Sequence, residues 1–406
     1  MLHLALILLS VLSLGTPLSA AETNFQDRTG RDESQNEGRN EGRNEGLTGL
    51  FKTGSAQAVA QALAGGVNLD LTDQDGLTPL MLTAGFNPEA QVTEMLLSKG
   101  ADPAAREKKF GLTSLMFAAM FNKPTVAQTL LRGGADPSQR NDHGGTALHQ
   151  ATSADPRPGL ILTLAEAGAD LNAADQDGLT PLMLAALAEK LPVLTELLKA
   201  GARVDHPDPE GRTALNLAAA GGRNPEIITR LVAAEAQLEA RDQRGLTPFL
   251  AAAEANRSLA VLEALQAAGA DLKALDPSGA DALLLASLSN PNPEILKYLL
   301  RKGAEVNGLR ANGLTPLLAA AGNPNPETAR FLILAGAETR ATDPAGRTAL
   351  MLAAWLNQND EVVKILAGGG VDLTARDHQG RTVLDYLGPD RPDLADFLSR
   401  RQESRP

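Results

Sequence analysis

The 406-residue chain predicts an all-α solenoid, with helix-turn-helix pairs stacked in a row and joined by β-hairpin-like finger loops. Three observations predict it. A Gly-x-Thr-(Pro/small)-Leu unit recurs with its threonine at Thr78, Thr113, Thr146, Thr180, Thr213, Thr247, Thr315, Thr348 and Thr382, and Asp281 fills the slot between Thr247 and Thr315. Successive spacings are 35, 33, 34, 33, 34, 34, 34, 33 and 34 residues. A second marker keeps step: Gly66, Gly100, Gly134, Gly168, Gly201, Gly269, Gly303, Gly336 and Gly370, with Glu235 in the one slot lacking glycine. Finally, aromatics are only 3 % of residues, so the core is mainly alanine and leucine, which suits closely packed helices better than a sheet sandwich. A fixed period of this size means that each unit buries its apolar face only against its neighbours.

The first element is an address. Leu4 to Leu14 form an apolar run broken by Gly15 and Pro17, and Ser19-Ala20-Ala21 follow. The run is short for a bilayer span and fits a signal peptide over residues 1–21, cleaved after Ala21. Against this, the n-region has no Lys or Arg, only the terminal amine and His3, which leaves an uncleaved anchor as the other reading. Residues 22–46 are polar and simple, with Asn36-Glu37-Gly38-Arg39 repeated at Asn40-Glu41-Gly42-Arg43 and again in Asn44-Glu45-Gly46. Such a stretch buries too little apolar surface to offset its ordering entropy and reads as a disordered low-complexity linker.

Each repeat then follows one plan. The threonine is a helix N-cap, and proline at the next position, as in Thr78-Pro79, loses nothing by lacking an N–H there. Asp281 caps equally well. A short alanine-rich helix follows, as in Leu184-Ala185-Ala186 or Leu318-Ala319-Ala320-Ala321. Next comes a turn marked by Asn and Pro, as in Asn87-Pro88 and Asn290-Pro291-Asn292-Pro293. The second helix shows apolar pairs at helical spacing: Val193, Leu194, Leu197 and Leu198; Ile227, Ile228, Leu231 and Val232; Ile295, Leu296, Leu299 and Leu300. The marker glycine ends it in the left-handed conformation. An extended finger with an Asp-x-x-Gly turn, such as Asp175-Gln176-Asp177-Gly178, leads to the next unit.

This pattern resembles the ankyrin repeat, whose plan runs Asp-x-x-Gly-x-Thr-Pro-Leu-x-x-Ala-Ala, a loop, Val-Val-x-x-Leu-Leu and Gly-Ala-Asp. Gly134-Ala135-Asp136, Gly168-Ala169-Asp170 and Gly269-Ala270-Asp271 match the ending in full. The resemblance covers residues 47–400: nine full units beginning at Thr78, with N- and C-terminal capping units over 47–73 and 382–400, and residues 401–406 as a polar tail. The family often has histidine after Thr-Pro-Leu, and here only His149 keeps it. Met81, Met116, Met183, Leu250, Leu284, Leu318 and Met351 replace it, exchanging a polar bridge for packing. Phe110 reads as one extra residue in its finger. Glu235 and Asp281 mark the units from Thr213 to Asp281 as the least regular and the weakest of the stack.

Residue chemistry excludes much. There are no cysteines, so disulfides, thiol catalysis, cysteine-ligated metals and a lipoprotein anchor are ruled out. A formal charge of −12 disfavours nucleic acid and anionic membranes. His3, His143, His149, His206 and His378 show no metal-ligand spacing. Asp73-Gln74-Asp75-Gly76 and Asp175-Gln176-Asp177-Gly178 begin like calcium loops but lack the later oxygen ligands, and read as turns. Nucleophile-elbow, phosphate-loop and dinucleotide motifs are absent. No residue is assigned a catalytic, metal or cofactor role, and the chain is expected not to be an enzyme. Asn256-Arg257-Ser258 fits a glycosylation acceptor.

The resemblance implies binding of a protein partner through the concave face, made by finger tips and the exposed side of the first helices. On that pattern the candidate partner-binding residues are Phe86, Phe110, Met120, Phe121, Leu187, Leu288, Trp355 and Leu356. Aromatic and methionine side chains at solvent-facing positions are what binding hot spots use. Phe86 and Phe121 are equally consistent with packing inside the stack. Lys108, Lys109, Arg140, Arg244 and Arg310 at the finger tips would tune partner choice. The sequence thus predicts a monomeric interaction scaffold, periplasmic or secreted. An inhibitor or protective partner of an exported enzyme or toxin, a hydrolase using groove carboxylates, and a purely structural array are the other readings.

Overall fold

The computed structural model describes residues 48–153, 157–308, 313–388 and 390–403. The signal-peptide and linker expectations for residues 1–46 lie outside them. The described chain divides into two compact units, the first ending at Arg203 and the second beginning at Val204.

In the first unit a helix over residues 48–53 (α1) precedes α2 (Ala56–Ala64). Helix pairs follow: α3 (Pro79–Phe86) with α4 (Ala90–Ser98), α5 (Ser114–Phe121) with α6 (Pro124–Arg132), α7 (Ala147–Ser153) with α8 (Leu160–Glu166), and α9 (Pro181–Leu187) with α10 (Leu191–Ala200). The second unit repeats the plan: α11 (Ala214–Gly221) and α12 (Pro225–Ala233), α13 (Pro248–Ala255) and α14 (Leu259–Ala267), α15 (Ala282–Ser289) and α16 (Pro293–Arg301). Then come α17 (Pro316–Ala320) and α18 (Pro326–Leu334), α19 (Ala349–Leu356) and α20 (Asp360–Gly368), and the closing pair α21 (Val383–Tyr386) and α22 (Pro392–Glu403). Helix α22 runs past residue 400, and Arg401 Nε and Gln402 Nε2 donate to the carbonyls of Ala367 and Leu373. Residues 401–403 therefore belong to the cap rather than to a tail.

The first helices are buried almost throughout. In α3 every residue from Pro79 to Gly85 is buried, and in α19 every residue from Ala349 to Ala354. Their caps are as the sequence predicts: Thr78 Oγ1 accepts from Met81 N at 3.3 Å, and Asp281 Oδ1 from Leu284 N at 2.9 Å. The second helices bury one face, for example Ile227, Ile228 and Leu231 in α12.

The asparagines in the turns do more than punctuate. In the second unit the Nδ2 of buried Asn256, Asn290, Asn323 and Asn357 each donates to carbonyls of the preceding repeat. The chain of bonds ends at Arg391, whose Nη1 donates to the carbonyls of Ala354 and Asn357. A second row runs outside it, Asn292, Asn325 and Asn359 donating to the carbonyls of Arg257, Pro291 and Pro324. Buried carbonyls at helix ends need such donors, because an unpaired one is costly.

Several expectations change. The fingers are turns rather than strands. Among the described residues the one β-type pairing is an isolated antiparallel bridge, Thr342 with Thr348. The turn aspartates take the N–H groups a ladder would use: Asp73 Oδ1 accepts from the N of Asp75 and Leu77, and Asp175 Oδ1 from Asp177 and Leu179. The units from Thr213 to Asp281 are not the least regular, since α11 to α15 all keep eight or nine residues. Glu235 takes the left-handed φ of 66° that glycine takes elsewhere. Among the full repeats it is α17, with five residues, that is shortest. The glycosylation reading also falls: Asn256 is buried and both its Nδ2 bonds are to Ala219 and Gly222, so the folded chain does not present it.

Candidate partner-binding faces

In the first unit the aromatic candidates gather in two places. At the ends of α3 and α5, Phe86 stacks on Phe121 with ring centroids 5.6 Å apart, and Phe117 adjoins Phe121 at 6.4 Å. Phe86 is exposed and Phe121 half-buried: the pair packs on itself and still presents a ring to solvent. Lys52 Nζ sits 5.2 Å from the Phe86 ring. At the finger, half-buried Phe110 lies 6.2 Å from His143, and Lys109 Nζ lies 4.9 Å from its ring.

The long finger has its own clasp. Glu107 replaces the usual Asp or Asn, and its N–H bonds to Leu112 O, five residues on, where Asp73 N bonds to Leu77 O, four on. Its carboxylate accepts from Lys109 N at 2.6 Å, Phe110 N at 2.5 Å and Leu112 N at 3.4 Å. The extra methylene of glutamate spans the longer turn. Phe110 precedes left-handed Gly111 as His143 precedes left-handed Gly144, and both carbonyls accept from the next finger. The inserted residue is therefore in the Lys108–Lys109 pair and not Phe110.

Met120 is corrected. It is 4 % exposed, packed within the stack, and offers no surface to a partner. Leu187, at the end of α9, is half-buried and belongs to neither aromatic group.

In the second unit Leu288, Trp355 and Leu356 are exposed, the last two each at 55 %. Trp355 is flanked by groups that its own neighbourhood in sequence does not suggest. Tyr386 of α21 lies 6.2 Å away, the Arg347 guanidinium 5.0 Å from the indole centroid, and Arg381 4.6 Å from the Tyr386 ring. Both arginines are held. Arg347 Nε donates to Asp343 Oδ2 at 2.7 Å, and Arg381 Nε to Asp377 Oδ2 at 2.8 Å, where Tyr386 Oη also donates. These bonds keep the Asp377 carboxyl well below the usual carboxylate range against the opposing effect of burial, which is the largest single influence. A sequence signal for this device exists in Asp-x-x-Gly-Arg-Thr, at Asp343 and Asp377, which puts aspartate and arginine four residues apart at the finger base.

The histidine slot is polar in two full repeats, and in the closing pair Asp385 Oδ2 accepts from Thr382 N at 2.6 Å. Buried His149 Nδ1 accepts from Thr146 N at 3.0 Å, and its Nε2 lies 3.1 Å from Leu179 O. That network assigns a neutral ring protonated on Nε2. Burial, the largest influence, pushes its pKa down to about 4. Asn216 fills the same slot in the second unit, accepting from Thr213 N and donating to the carbonyls of Ala240 and Leu246. Sequence reading missed it. The sulfurs of Met81 and Met183 also accept from the cap N–H, both at 3.5 Å, so methionine gives up only part of the bridge.

Comparison with known proteins agrees with this architecture. The family described as "Ankyrin repeats (3 copies)" matches in overlapping windows over residues 50–141, 90–175, 115–208, 148–242, 182–276, 215–309 and 283–377. The chain belongs to the ankyrin-repeat family. The human ASB11 ankyrin repeat domain is similar at TM-score 0.50 and 25 % identity, over 56 % of this chain and 100 % of that one. The ankyrin repeat domain of Bcl-3, a member of the IkappaB protein family, is 28 % identical over 55 % of this chain and 99 % of that one, with a TM-score of 0.44. No curated protein matches. The fold is an all-α ankyrin solenoid, and ankyrin repeats make this chain a protein–protein interaction scaffold of a kind that is typically non-enzymatic. Among the described residues no helix is long and apolar enough to cross a membrane.

Proposed function

We propose that this ankyrin protein is an exported, monomeric scaffold that binds another protein through its finger tips and the exposed ends of its first helices. The observation that carries the reading is that four of the eight exposed large apolar side chains among the described residues, Phe86, Leu288, Trp355 and Leu356, stand at the C-terminal ends of first helices, where solvated helices normally carry polar residues. The other four, Leu71, Leu162, Leu275 and Leu334, are in fingers and second helices. Recurrence of exposed apolar groups at one position of the repeat marks an interaction site better than scattered single ones do. Export is supported by the apolar run Leu4–Leu14 and the small-residue site at Ser19-Ala20-Ala21.

Crosslinked affinity capture from the native compartment tests the binding face. Trp355→Ala or Phe110→Ala should capture less partner than the natural chain. Equal capture by all three would discard these positions as contacts. N-terminal sequencing of the recovered chain tests export, with Glu22 expected as the first residue.

A further inference from the structure

We propose that the lysine–aromatic face of residues 48–203 takes an acidic, extended segment of the protein partner, with an apolar side chain among its carboxylates. This rests on the protein-binding reading above and narrows the partner's chemistry. The charge pattern carries it. Lys52 stands over Phe86, Lys109 stands over Phe110, Lys108 is beside Lys109 at the finger tip, and Lys123 follows the Phe121-Asn122 end of α5. Among the described residues none of these four lysines has a carboxylate within ion-pair distance, whereas Arg347 and Arg381 beside Trp355 and Tyr386 each have one. A cluster of uncompensated cations on a chain of net charge −12 is a local reversal of field, which selects and orients an anionic partner.

The tip is also rigid before anything binds. Glu107 is buried and its carboxylate holds three successive parts of the turn, while Phe110 O accepts from Asp142 N of the next finger at 2.9 Å. Ordering the backbone there is already done, which lowers the cost of binding. The finger base and the Phe86–Phe121 end of this face are separated by one eight-residue helix, roughly 12 Å, and the three residues between Phe110 and that helix add up to roughly 10 Å, so about seven extended residues span the face. One short segment can place carboxylates on Lys108 and Lys109 and an apolar side chain on the stacked rings.

The test uses the full chain and a random dodecamer peptide library displayed on phage. Selected peptides should be rich in Asp and Glu around an aromatic or aliphatic residue. Lys108→Glu/Lys109→Glu should weaken them by at least about tenfold, and raised salt should weaken them too. Lys199→Glu, on the exposed side of α10, should not, and a melt of each variant checks folding. Neutral or basic selected peptides, or acidic ones indifferent to the double reversal, would overturn this inference and leave the protein-binding reading standing. No enrichment over bare support would overturn both. Phosphatidylserine vesicles bound as tightly as the peptides, and released by the same reversal, would overturn the assignment to a peptide.

Discussion

The two units build the same repeat, yet at matching positions they use different chemistry. Beside the candidate aromatics the first unit has lysines without carboxylates in ion-pair range, and the second has arginines locked to Asp343 and Asp377. In the slot after the N-cap, among full repeats, the first unit has titratable His149 and the second has Asn216, which cannot titrate. In the turns the second unit ties Asn256, Asn290, Asn323, Asn357 and Arg391 into one row, whereas the last two such slots of the first hold Asp155, outside the described residues, and Glu189, left-handed at φ 56°. The lesson is that repeat register decides where a side chain stands, while its chemistry decides whether it is a fixed tie or remains available to protons and partners.

The largest expected effect breaks the row of turn bonds. Asn290→Ala removes two Nδ2 bonds to the carbonyls of Ala253 and Asn256 and leaves those groups buried. Its cost should be about 2–4 kcal/mol in a urea melt of the full chain. Asn292→Ala, which deletes a half-buried cap and the outer-row bond to Arg257 O, should cost less, about 1–2 kcal/mol. Equal losses would mean that the inner row is no stronger than an ordinary cap.

Most of the fold was legible because caps, glycines and apolar pairs repeat at a fixed step. Each repeat confirms its neighbour's register, so Asp281 and Glu235 could be placed without a matching residue type. The candidate site was legible only at single positions. Trp355 and Leu356 stand exposed because their place after the alanine pair sets their direction. Met120 holds the equivalent of Trp355 and is buried, since α3 and α5 pack with the bulky Phe117 and Phe121 beside them. Contacts between repeats were hidden from a reading made one unit at a time. Tyr386 reaches Trp355 from the following repeat, and Lys52 reaches Phe86 from the preceding one. Asn216 was overlooked because the search followed histidine and its apolar replacements.

A smaller effect should separate the units by pH. His149 has its folded pKa at about 4, below the ordinary 6.5, so the folded state favours the neutral ring. Its contribution is complete above pH 6.5 and is lost as pH falls from 6.5 towards 4, because the unfolded chain then binds the extra proton. Between pH 7 and 4.5 the natural chain should lose about 2–3 kcal/mol more than His149→Asn, the carboxylates being common to both. Paired urea melts at the two pH values measure the difference. Asn216→Asp, tested the same way, should change the acid dependence that Asp343 and Asp377 already give the second unit. A natural chain and His149→Asn falling in parallel would mean that the ring is already charged in the fold.

The smallest effect is optical and isolates the second unit's face, because Trp355 is the only tryptophan in the chain. Its emission reports that face and nothing else. Arg347 covers one side of the indole at 5.0 Å and is itself pinned by Asp343, a contact worth about 0.5–1 kcal/mol at an exposed site. Arg347→Ala should therefore raise acrylamide quenching by less than about twofold, while stability falls by more than that contact alone, because the buried Asp343 carboxylate loses its ion pair. Asp343→Asn should act in the same direction but more weakly, since it frees the guanidinium without deleting it. An acidic peptide bound at Lys108 and Lys109 should leave the emission of the natural chain unchanged. If that peptide shifts Trp355 emission and Arg347→Ala abolishes the shift, the paired arginines, and not the free lysines, are the anion-binding groups.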